Sequence, residues 1–325
     1  MRSDVLELLR EAGGCISGEK IAERLGVTRA AVWKKIAALR EAGYDIASAP
    51  RSGYVLRSAP DRLIEAEIAK DLGTVLVGKK IICYDAVDST NLVLKQLAHE
   101  GAEDGTVVVA DRQGTGRGRM ERPFFSPPGK GIWVSILLRP SFLPQDAPKC
   151  TLMAAVAVAR AMEHFGLRAA IKWPNDVVVR GKKVAGILTE MSTDLDRIEF
   201  VVIGIGINVN TGSFPEEIRE VATSLAIEQG KETARTPIIA AVWKQFAHYE
   251  KVFEENGSFA ALKERYEALL ANRGREVRVL DPDGEYCGVA EGITESGELL
   301  VRREDQSLTA VRSGEVSVRG IYGYI

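Results

Sequence analysis

The sequence is poor in the residues that build metal sites and disulfide frameworks. Its 325 residues include four cysteines, Cys15, Cys83, Cys150 and Cys287, which are far apart and form no C-x-x-C pair, and only three histidines, which lack metal-ligand spacing. We therefore expect reduced thiols, as is usual in the cytoplasm, and no zinc site. No apolar run reaches membrane-spanning length, so no membrane contact is expected.

Two common nucleotide-binding motifs are also missing. No G-x-x-x-x-G-K-[ST] motif occurs, which excludes a P-loop. Residues 204–210 read G-I-G-I-N-V-N, which resembles a dinucleotide fingerprint but lacks the third glycine and a following helix. Any bound nucleotide must therefore be held by another arrangement.

Charge is unevenly distributed along the chain. The formal net charge is -2, but residues 1–60 carry ten Lys and Arg against seven Asp and Glu, a local charge of +3. From Arg24 to Arg40 there are five basic residues and no acidic one. A basic segment within a nearly neutral chain indicates nucleic-acid contact there.

The same segment has the pattern of a winged helix-turn-helix. Apolar spacing predicts three short helices, with a turn at Gly26-Val27 and Thr28 as the N-cap of the third. Two short strands around a turn at residues 51–53 would form the wing. The third helix would enter the major groove. The residues expected to contact DNA are Thr28, Arg29, Ala30, Trp33, Lys34, Lys35 and Arg51. A small helical domain used for protein contacts is the alternative.

Glycine and arginine alternate within residues 111–126, between predicted strands at 106–110 and 132–138. Glycine lets a backbone approach a ligand closely, and arginine supplies forked donors for phosphate or carboxylate. The loop therefore suits an anionic ligand. The alternative is a disordered nucleic-acid-binding segment. The flanking apolar strands, and the Pro123-Phe124-Phe125 run that ends the loop, favour an ordered ligand loop instead.

Polar residues also precede the predicted helix that ends at His99. The run Asp88-Ser-Thr-Asn91 could supply an N-cap, but capping accounts for only one of four polar residues. Hydroxyl and amide groups at a helix N-terminus can also hold a polar ligand group.

A second polar group is expected where two strands meet. Pro174 cannot pair within a ladder, so Asn175 and Asp176 should project at a strand end. Lys183 begins the returning strand, and Gly186 would leave room for a ligand beneath the sheet. A lone lysine at a turn is usually solvated, and only its polar neighbours make Lys183 a site candidate.

The remaining pattern predicts the architecture. Helical spacing over residues 234–270, with a break at Asn256-Gly257-Ser258, predicts helices that cover one face of the sheet. Five short strands between residues 275 and 318 predict a small β-barrel. We therefore predict an α+β protein with a DNA-binding domain at 1–62, a mixed-sheet domain at 63–272 and a small β domain at 273–325.

Over essentially its whole length the chain resembles the bifunctional biotin protein ligases that also repress the biotin operon. Each of the motifs that carry this resemblance is weak alone, but the occurrence of all of them in this order is specific. Besides the winged helix-turn-helix, the motifs are Asp88-Ser-Thr-Asn91, Gly116-Arg-Gly-Arg119, Lys172-Trp-Pro-Asn-Asp176, Lys183-Val-Ala-Gly-Ile-Leu188 and Gly204-Ile-Gly-Ile-Asn-Val-Asn210. The resemblance implies that the central domain has the biotin/lipoate-ligase fold and that the C-terminal domain is SH3-like.

The resemblance also implies two half-reactions that use biotin, ATP and Mg²⁺. The biotin carboxylate attacks the α-phosphate of ATP to give biotinyl-5'-adenylate, and a lysine of a carboxylase's biotin carboxyl carrier domain then attacks the mixed anhydride. The adenylate is implied to act as corepressor. It would order the glycine-arginine loop and favour a homodimer, which presents two winged helices to a palindromic operator.

Roles follow for individual positions from the same resemblance. The catalytic residues implied are Lys183, Arg117 and Arg119. The biotin-binding residues implied are Ser89, Thr90, Asn91, Gln113, Gly116, Arg117, Gly118, Arg119, Lys183 and Gly186. The ATP-binding residues implied are Arg119, Phe124, Asn175, Asp176, Lys183 and Asn208. Asp176 could hold Mg²⁺ or orient the acceptor amine, and both roles stay open.

Two departures from the family pattern bear on how tightly the adenylate is retained. The family often continues Gly-Arg-Gly-Arg with Arg-Gly, whereas this chain has Met120-Glu121. An aromatic pair, commonly Trp-Phe, closes over the adenylate in the family. This chain has Phe124-Phe125, which keeps an apolar lid but removes the indole donor.

Three alternatives compete with this interpretation. A lipoate protein ligase would share the catalytic fold, but the N-terminal domain and the Gly-Arg-Gly-Arg loop point to biotin. A ligand-sensing repressor without turnover is the second, and the presence of Lys183 argues against it. The third is a ligase whose N-terminal domain does not read DNA.

Overall fold

The computed structural model describes residues 5–49, 53–70, 72, 80–194, 197–256, 260–281, 284–313, 317–320 and 324–325. Contacts divide the chain into two compact units, Met1–Asp61 and Arg62–Ile325. The first unit corresponds to the predicted DNA-binding domain, and the second contains the other two predicted domains. The boundary between residues 272 and 273 stays a prediction.

The first unit consists of three helices and a hairpin. Its elements are α1 Val5–Ala12, α2 Gly18–Leu25, α3 Arg29–Glu41, β1 Asp45–Ala49 and β2 Gly53–Ser58. The predicted turn is confirmed, because Gly26 ends α2 with a φ of 65°, a left-handed conformation that suits glycine. The predicted cap is confirmed too, since Thr28 Oγ1 accepts a hydrogen bond from the Ala31 N–H at 3.2 Å.

Apolar side chains from all three helices form the core of this unit. Val5, Leu9, Ile21, Val32 and Ile36 are buried together, which leaves the opposite side of α3 in solvent. Strands β1 and β2 pair antiparallel, as expected for a wing. The tip of the wing, including Arg51, lies outside the described residues.

The second unit is built on a seven-stranded mixed sheet with the order β3-β4-β5-β9-β8-β7-β6. Only the β3–β4 pair is parallel among these neighbours. The strands are β3 Lys80–Tyr84, β4 Thr106–Ala110, β5 Gly131–Leu138, β6 Ala169–Lys172, β7 Asp176–Val179, β8 Lys182–Asp194 and β9 Arg197–Asn208. The helices are α4 Glu65–Ala69, α5 Thr90–His99, α6 Ala147–His164, α7 Leu225–Gln229, α8 Arg235–Asn256 and α9 Ala260–Leu269.

Helices cover both faces of the sheet. Because side chains alternate along a strand, Val107 and Val109 of β4 pack into the cluster that contains α6 and α8, whereas Val108 packs into the smaller cluster that contains Leu94 of α5. Helix α5 therefore lies on the face opposite α6. Its N-terminus comes to the sheet beside the glycine-arginine loop.

Some predicted boundaries differ from the structure. The sequence predicts a helix over residues 63–72, but helix α4 is confined to Glu65–Ala69. Apolar runs predict strands at residues 183–188 and 201–205, but β8 extends to Asp194 and β9 begins at Arg197. The added residues include polar ones, which apolar alternation does not detect, and they pair with each other. Most of the predicted helix break at 256–258 lies outside the described residues.

Five short strands follow, as predicted, in the order β13-β12-β11-β10-β14 with every pairing antiparallel. They are β10 Glu276–Leu280, β11 Tyr286–Ile293, β12 Leu299–Arg302, β13 Leu308–Val311 and β14 Ser317–Gly320. Val277, Ile293 and Leu299 belong to the same buried cluster as the central sheet, so the two sheets share one hydrophobic core. In the described part of the chain, no helix is long and apolar enough to cross a membrane.

Replacing Thr28 by alanine removes the N-cap acceptor of α3. We expect the local stability of α3 to fall by about 1 kcal/mol, which amide hydrogen exchange followed by mass spectrometry will register as faster exchange within Arg29–Glu41. Thr28→Ser keeps a hydroxyl acceptor and is the matched control. Equal exchange in all three proteins would contradict the capping role.

Candidate active site

One cavity in the second unit collects most of the predicted ligand residues. It has a volume of about 40 Å³ and lies among the start of α5, the glycine-arginine loop and strands β7, β8 and β9. Of the predicted residues, Ser89, Thr90, Asn91, Gln113, Arg117, Gly118, Phe124, Asn175, Lys183 and Gly186 line it. Gly116, Arg119, Asp176 and Asn208 do not line the cavity itself.

The start of α5 and the loop are joined by polar side chains. Gln113 Oε1 accepts hydrogen bonds from the Thr90 N–H at 2.9 Å and the Thr90 hydroxyl at 3.1 Å, and the Gln113 side-chain amide donates to Ser126 Oγ at 3.3 Å. Ser89 occupies the N-cap position, but its side chain makes no capping hydrogen bond. The buried Ser89 hydroxyl is therefore placed at the cavity without being used by the helix.

Asn91 supports the cavity from below. Its side-chain amide donates to Glu190 Oε2 at 2.7 Å, and its Oδ1 accepts from Ser135 Oγ at 2.6 Å. A Cβ atom added to Gly204 would stand 2.3 Å from Asn91 Oδ1. The strand can approach the asparagine this closely only because residue 204 is glycine.

The glycine-arginine loop folds back on itself. The Phe124 N–H donates to the Gly116 carbonyl at 2.7 Å, and a Cβ atom at Gly116 would meet the Phe124 carbonyl oxygen at 2.6 Å. Arg117 pairs with Glu121 at 3.1 Å on the exposed side of the loop. Met120 and Glu121 both have a φ of 55°, a conformation that glycine adopts more easily.

The Phe124 ring covers Gly186 and Gly206, which form the glycine floor of the cavity. Its atoms would stand 3.0 Å from a Cβ at Gly186 and 2.9 Å from one at Gly206. The ring also meets the Trp133 ring edge-on, with centroids 5.8 Å apart. Phe124 therefore fills space that the floor leaves open, whereas the neighbouring Phe125 packs against Phe214.

An ion pair stands at the edge of this floor. Lys183 Nζ lies 2.5 Å from Asp176 Oδ1, and the Tyr324 hydroxyl donates to Asp176 Oδ2. Burial alone would raise the pKa of Asp176, but the charge and hydrogen bond of Lys183, with smaller contributions from Tyr324 and Lys172, hold that pKa below its usual value. Asp176 therefore stays ionised opposite Lys183.

A second lysine lies close to the pair. Lys172 is buried, and its Nζ stands 3.5 Å from the centroid of the Tyr324 ring. Burial lowers the pKa of Lys172 from 10.5 to about 8; the Asp176 charge opposes this shift, whereas nearby cations reinforce it. Lys172 therefore loses its proton at a lower pH than an exposed lysine, beside a carboxylate that stays ionised.

The three other predicted nucleotide residues make protein contacts in this structure. The Arg119 guanidinium donates to the Ser313 carbonyl, in the turn that follows β13. Asn175 donates to the Ile187 carbonyl at 2.8 Å, and Asn208 donates to the Thr223 carbonyl at 3.0 Å. Both asparagine side chains therefore brace strands at the edge of the cavity.

The base of the glycine-arginine loop is fixed by a partly buried ion pair that the sequence did not reveal. Arg235, at the start of α8, donates to Asp111 Oδ1 at 2.7 Å. The other Asp111 oxygen accepts from the Gly129 N–H at 2.9 Å. Both carboxylate oxygens of Asp111 therefore hold the first residue of the loop in place.

Sequence reasoning also missed several residues at the site. Trp133 was assigned only to a strand, because an apolar strand shows no ligand signal, and Gly206 lay in a quoted motif without receiving a role of its own. Lys172 was part of a quoted motif but was given no role, because the sequence does not show that it is buried beside Asp176. Tyr324 carried no motif at all.

On the first unit, most predicted DNA contacts share one exposed surface. Arg29, Ala30, Lys34 and Lys35 are exposed on α3, and Trp33 is 60% exposed. Thr28 is exposed at the start of the helix. An exposed tryptophan between basic side chains is typical of a binding surface rather than of a folded core.

Three protein-family models match this chain and cover most of it. A model described as HTH domain matches residues 2–55, and the Biotin/lipoate A/B protein ligase family matches residues 84–208. The Biotin protein ligase C terminal domain matches residues 274–319. Together they define a biotin protein ligase with an N-terminal helix-turn-helix.

Individual relatives give the narrower assignment. The chain is 41% identical over 309 residues to the bifunctional ligase/repressor BirA of Bacillus spizizenii, covering 94% of this chain and 95% of that protein. It is 31% identical to the protein of the same name from Escherichia coli, covering 93% and 92% of the two chains. The chain belongs to this bifunctional ligase/repressor family.

A solved structure agrees with this assignment. The biotin protein ligase from Aquifex aeolicus in complex with biotin and ATP is 35% identical, with a TM-score of 0.66, and covers 74% of this chain and 99% of that one. The predicted α+β fold with a ligase-type central sheet is therefore confirmed.

Replacing Lys172 by methionine should change how stability depends on pH. The native pKa of Lys172, about 8, lies below its ordinary value of 10.5, so between these values the unfolded chain binds more protons and stability rises with pH. Relative to Lys172→Met, the wild type should gain on the order of 3 kcal/mol across this range, as measured by urea unfolding.

The exposed Lys80 supplies the control. Lys80→Met should follow the wild type at every pH. A constant difference between the wild type and Lys172→Met from pH 7 to 10.5 would contradict the lowered pKa.

Proposed function

We propose that this protein forms biotinyl-5'-adenylate from biotin and ATP, transfers biotin to a carrier lysine, and represses transcription when the adenylate is bound. The observation that carries the proposal is the Lys183–Asp176 pair at the edge of a glycine-floored cavity, closed by a glycine-arginine loop. The same chain carries an exposed basic helix at the correct position of a helix-turn-helix. Family membership supports both parts.

The cavity suits the two ends of biotin. A cyclic urea needs both donors and acceptors, which Ser89, Thr90 and Gln113 supply together. The apolar parts of the ligand can pack against Trp133 and the backbone of Gly186 and Gly206. Because the existing space is about 40 Å³, the Phe124 ring must move aside to admit the ligand.

The first half-reaction brings several anions together. A carboxylate oxygen of biotin bonds to the α-phosphorus of ATP, and the bond to the pyrophosphate leaving group breaks. Lys183, Arg117 and Arg119 supply positive charge for this centre, where a water-poor site makes each charge more effective. Asn175, directly before β7, and Asn208, the last residue of β9, border the nucleotide side.

Mg²⁺ fits this site as a companion of the nucleotide. In the described part of the chain, no three His, Cys, Asp or Glu side chains cluster as metal ligands. Mg²⁺ is commonly bound by one or two carboxylates together with substrate phosphates. Asp176 is the carboxylate in position to serve, and the ion would neutralise phosphate charge.

In the second half-reaction the amine of a carrier lysine attacks the carbonyl carbon of the adenylate. A C–N bond forms, the bond to AMP breaks, and the nitrogen loses a proton. Asp176 can orient that amine if it does not hold Mg²⁺. The carrier is a biotin carboxyl carrier domain of a carboxylase in this proposal.

The repressor role uses the first unit. The adenylate orders the glycine-arginine loop, favours a homodimer, and presents two copies of α3 to a palindromic operator. Thr28, Arg29, Ala30, Trp33, Lys34, Lys35 and Arg51 are the proposed DNA contacts. The cytoplasm is the proposed compartment, which agrees with four free cysteines.

The test is the identity of the small molecule that the protein makes. Purified protein is incubated with Mg-ATP and equal concentrations of biotin and lipoate, and the bound ligand is identified by mass spectrometry. Biotinyl-adenylate supports the proposal. Lipoyl-adenylate would make the chain a lipoate ligase, and unmodified biotin would make it a sensor without turnover.

Lys183→Ala should reduce the rate of adenylate formation by more than about 100-fold, because a charged donor at the reacting centre is lost. Single-turnover quench with labelled biotin measures this rate. Lys182→Ala is the matched control, since the neighbouring Lys182 points to Glu220 at 3.9 Å. Near-normal adenylation by Lys183→Ala, or an equal loss in both variants, would contradict the role of Lys183.

Lys34→Ala should weaken operator binding and reduce the slope of log K against log salt concentration by about one, because one phosphate contact is lost. Fluorescence anisotropy with operator DNA at several salt concentrations measures the slope. The exposed Lys20 on α2 serves as control. An unchanged slope for Lys34→Ala would remove this lysine from the DNA contacts.

A further inference from the structure

The residue Tyr324 contacts two charged residues of the active site. Its hydroxyl donates to Asp176 Oδ2, and its ring lies under the ammonium group of Lys172, with 3.5 Å between Nζ and the ring centroid. Tyr324 is far from both residues in sequence, being separated from Asp176 by 148 positions. These contacts connect the end of the C-terminal domain to the ion pair of the central sheet.

We propose that Tyr324 is a positioning residue of the adenylation site, which holds Asp176 against Lys183 and keeps Lys172 away from Asp176. This inference rests on the proposed function for the reaction that it assists. It assigns to a residue beyond the last strand, β14, a part in the chemistry of the central domain.

The first step of the argument concerns the orientation of Asp176. A carboxylate has two oxygens, and here each has a different partner: Lys183 Nζ at Oδ1 and the Tyr324 hydroxyl at Oδ2. Two contacts on opposite oxygens fix the rotation of the carboxylate group. The Lys183 ammonium is in turn held at 2.5 Å from Oδ1, at the edge of the cavity.

The second step concerns competition between two lysines. Lys183 pairs directly with Asp176. The negative charge of Asp176 also acts on Lys172 and favours its protonated form. Tyr324 offers Lys172 the negative face of its ring, a favourable place for a cation. The same side chain thus gives its hydroxyl to the carboxylate and its ring to the lysine that is not paired with it.

The third step is that the C-terminal domain is anchored at the site. The Ser313 carbonyl accepts a hydrogen bond from the Arg119 guanidinium of the glycine-arginine loop. Beyond Tyr324, the Ile325 side chain would stand 3.8 Å from a Cβ at Gly181, in the turn between β7 and β8. Contacts on both sides of Tyr324 therefore hold it in place.

The test compares Tyr324→Phe, Tyr324→Leu and Tyr286→Phe. Tyr324→Phe keeps the ring under Lys172 and loses the hydrogen bond to Asp176, whereas Tyr324→Leu loses both. Tyr286→Phe is the matched control, because Tyr286 belongs to the same C-terminal sheet and its ring packs against Arg303 at 3.7 Å. The rates of adenylate formation are measured by single-turnover quench over ranges of ATP and biotin.

We expect kcat for adenylation to fall about tenfold in Tyr324→Phe, as for the loss of a hydrogen bond to a charged group, with KM for biotin unchanged. Tyr324→Leu should fall further, and Tyr286→Phe should match the wild type. Unchanged kcat in Tyr324→Phe would overturn the proposal. So would increased kcat, since the tyrosine would then obstruct the site.

A spectroscopic measurement separates this inference from the proposed function. The protein is labelled with 3-fluorotyrosine, and the ¹⁹F resonance of Tyr324 is assigned by its absence in Tyr324→Phe. Asp176→Asn and Lys172→Met should each shift this resonance and leave that of Tyr286 in place. If neither substitution shifts the Tyr324 resonance, the inference is overturned, even when the wild-type protein is active. If both substitutions shift it but the wild-type protein makes no adenylate, only the proposed function is refuted.

Discussion

The ion pair between Lys183 and Asp176 is the interaction on which the rest of the site depends. A site for two anionic substrates needs concentrated positive charge, and buried cations without partners are costly. Asp176 is this partner for Lys183. The 2.5 Å contact between Lys183 and Asp176 at the start of β8 offsets the cost of burying the lysine. The folded chain can therefore keep a cation that attracts the carboxylate and phosphate groups of the proposed substrates.

The geometry around this pair divides into a rigid half and an adjustable half. Strands β7, β8 and β9 form the rigid half, where Asn175 and Asn208 brace their neighbours and Gly204 allows the close approach of Asn91. In the proposed reaction the loop that follows Asp111 is the adjustable half, because its Phe124 ring must leave Gly186 and Gly206, while the buried Arg235 anchors its base. The proposed site must admit ATP and then exclude water. A fixed floor with a movable cover allows both.

Features of the fold that depend on neighbouring residues could be predicted from the sequence. Gly26 and Thr28 mark a turn and a cap because both effects act within one helical turn, and Gly186 was recognised because a glycine inside a strand has few other uses. Contacts between distant segments could not be predicted. Arg235 meets Asp111 across 124 positions and Tyr324 meets Asp176 across 148, and no local pattern of charge or apolarity encodes such pairs. Lys172 shows the same limit, because its motif was visible while its burial depended on the C-terminal domain.

In the proposed biotin site, the Phe124 ring, which covers Gly186 and Gly206, competes with the ligand for the same space. Its local concentration is set by the chain and does not change when free biotin is added. A ligand that displaces the ring must therefore supply the free energy of exposing it to water. That cost is on the order of 2 kcal/mol. If opening of the loop is slow, the association rate will level off at high biotin concentration at the rate of opening, so the cover of the pocket determines how quickly the protein can respond to a rise in its ligand.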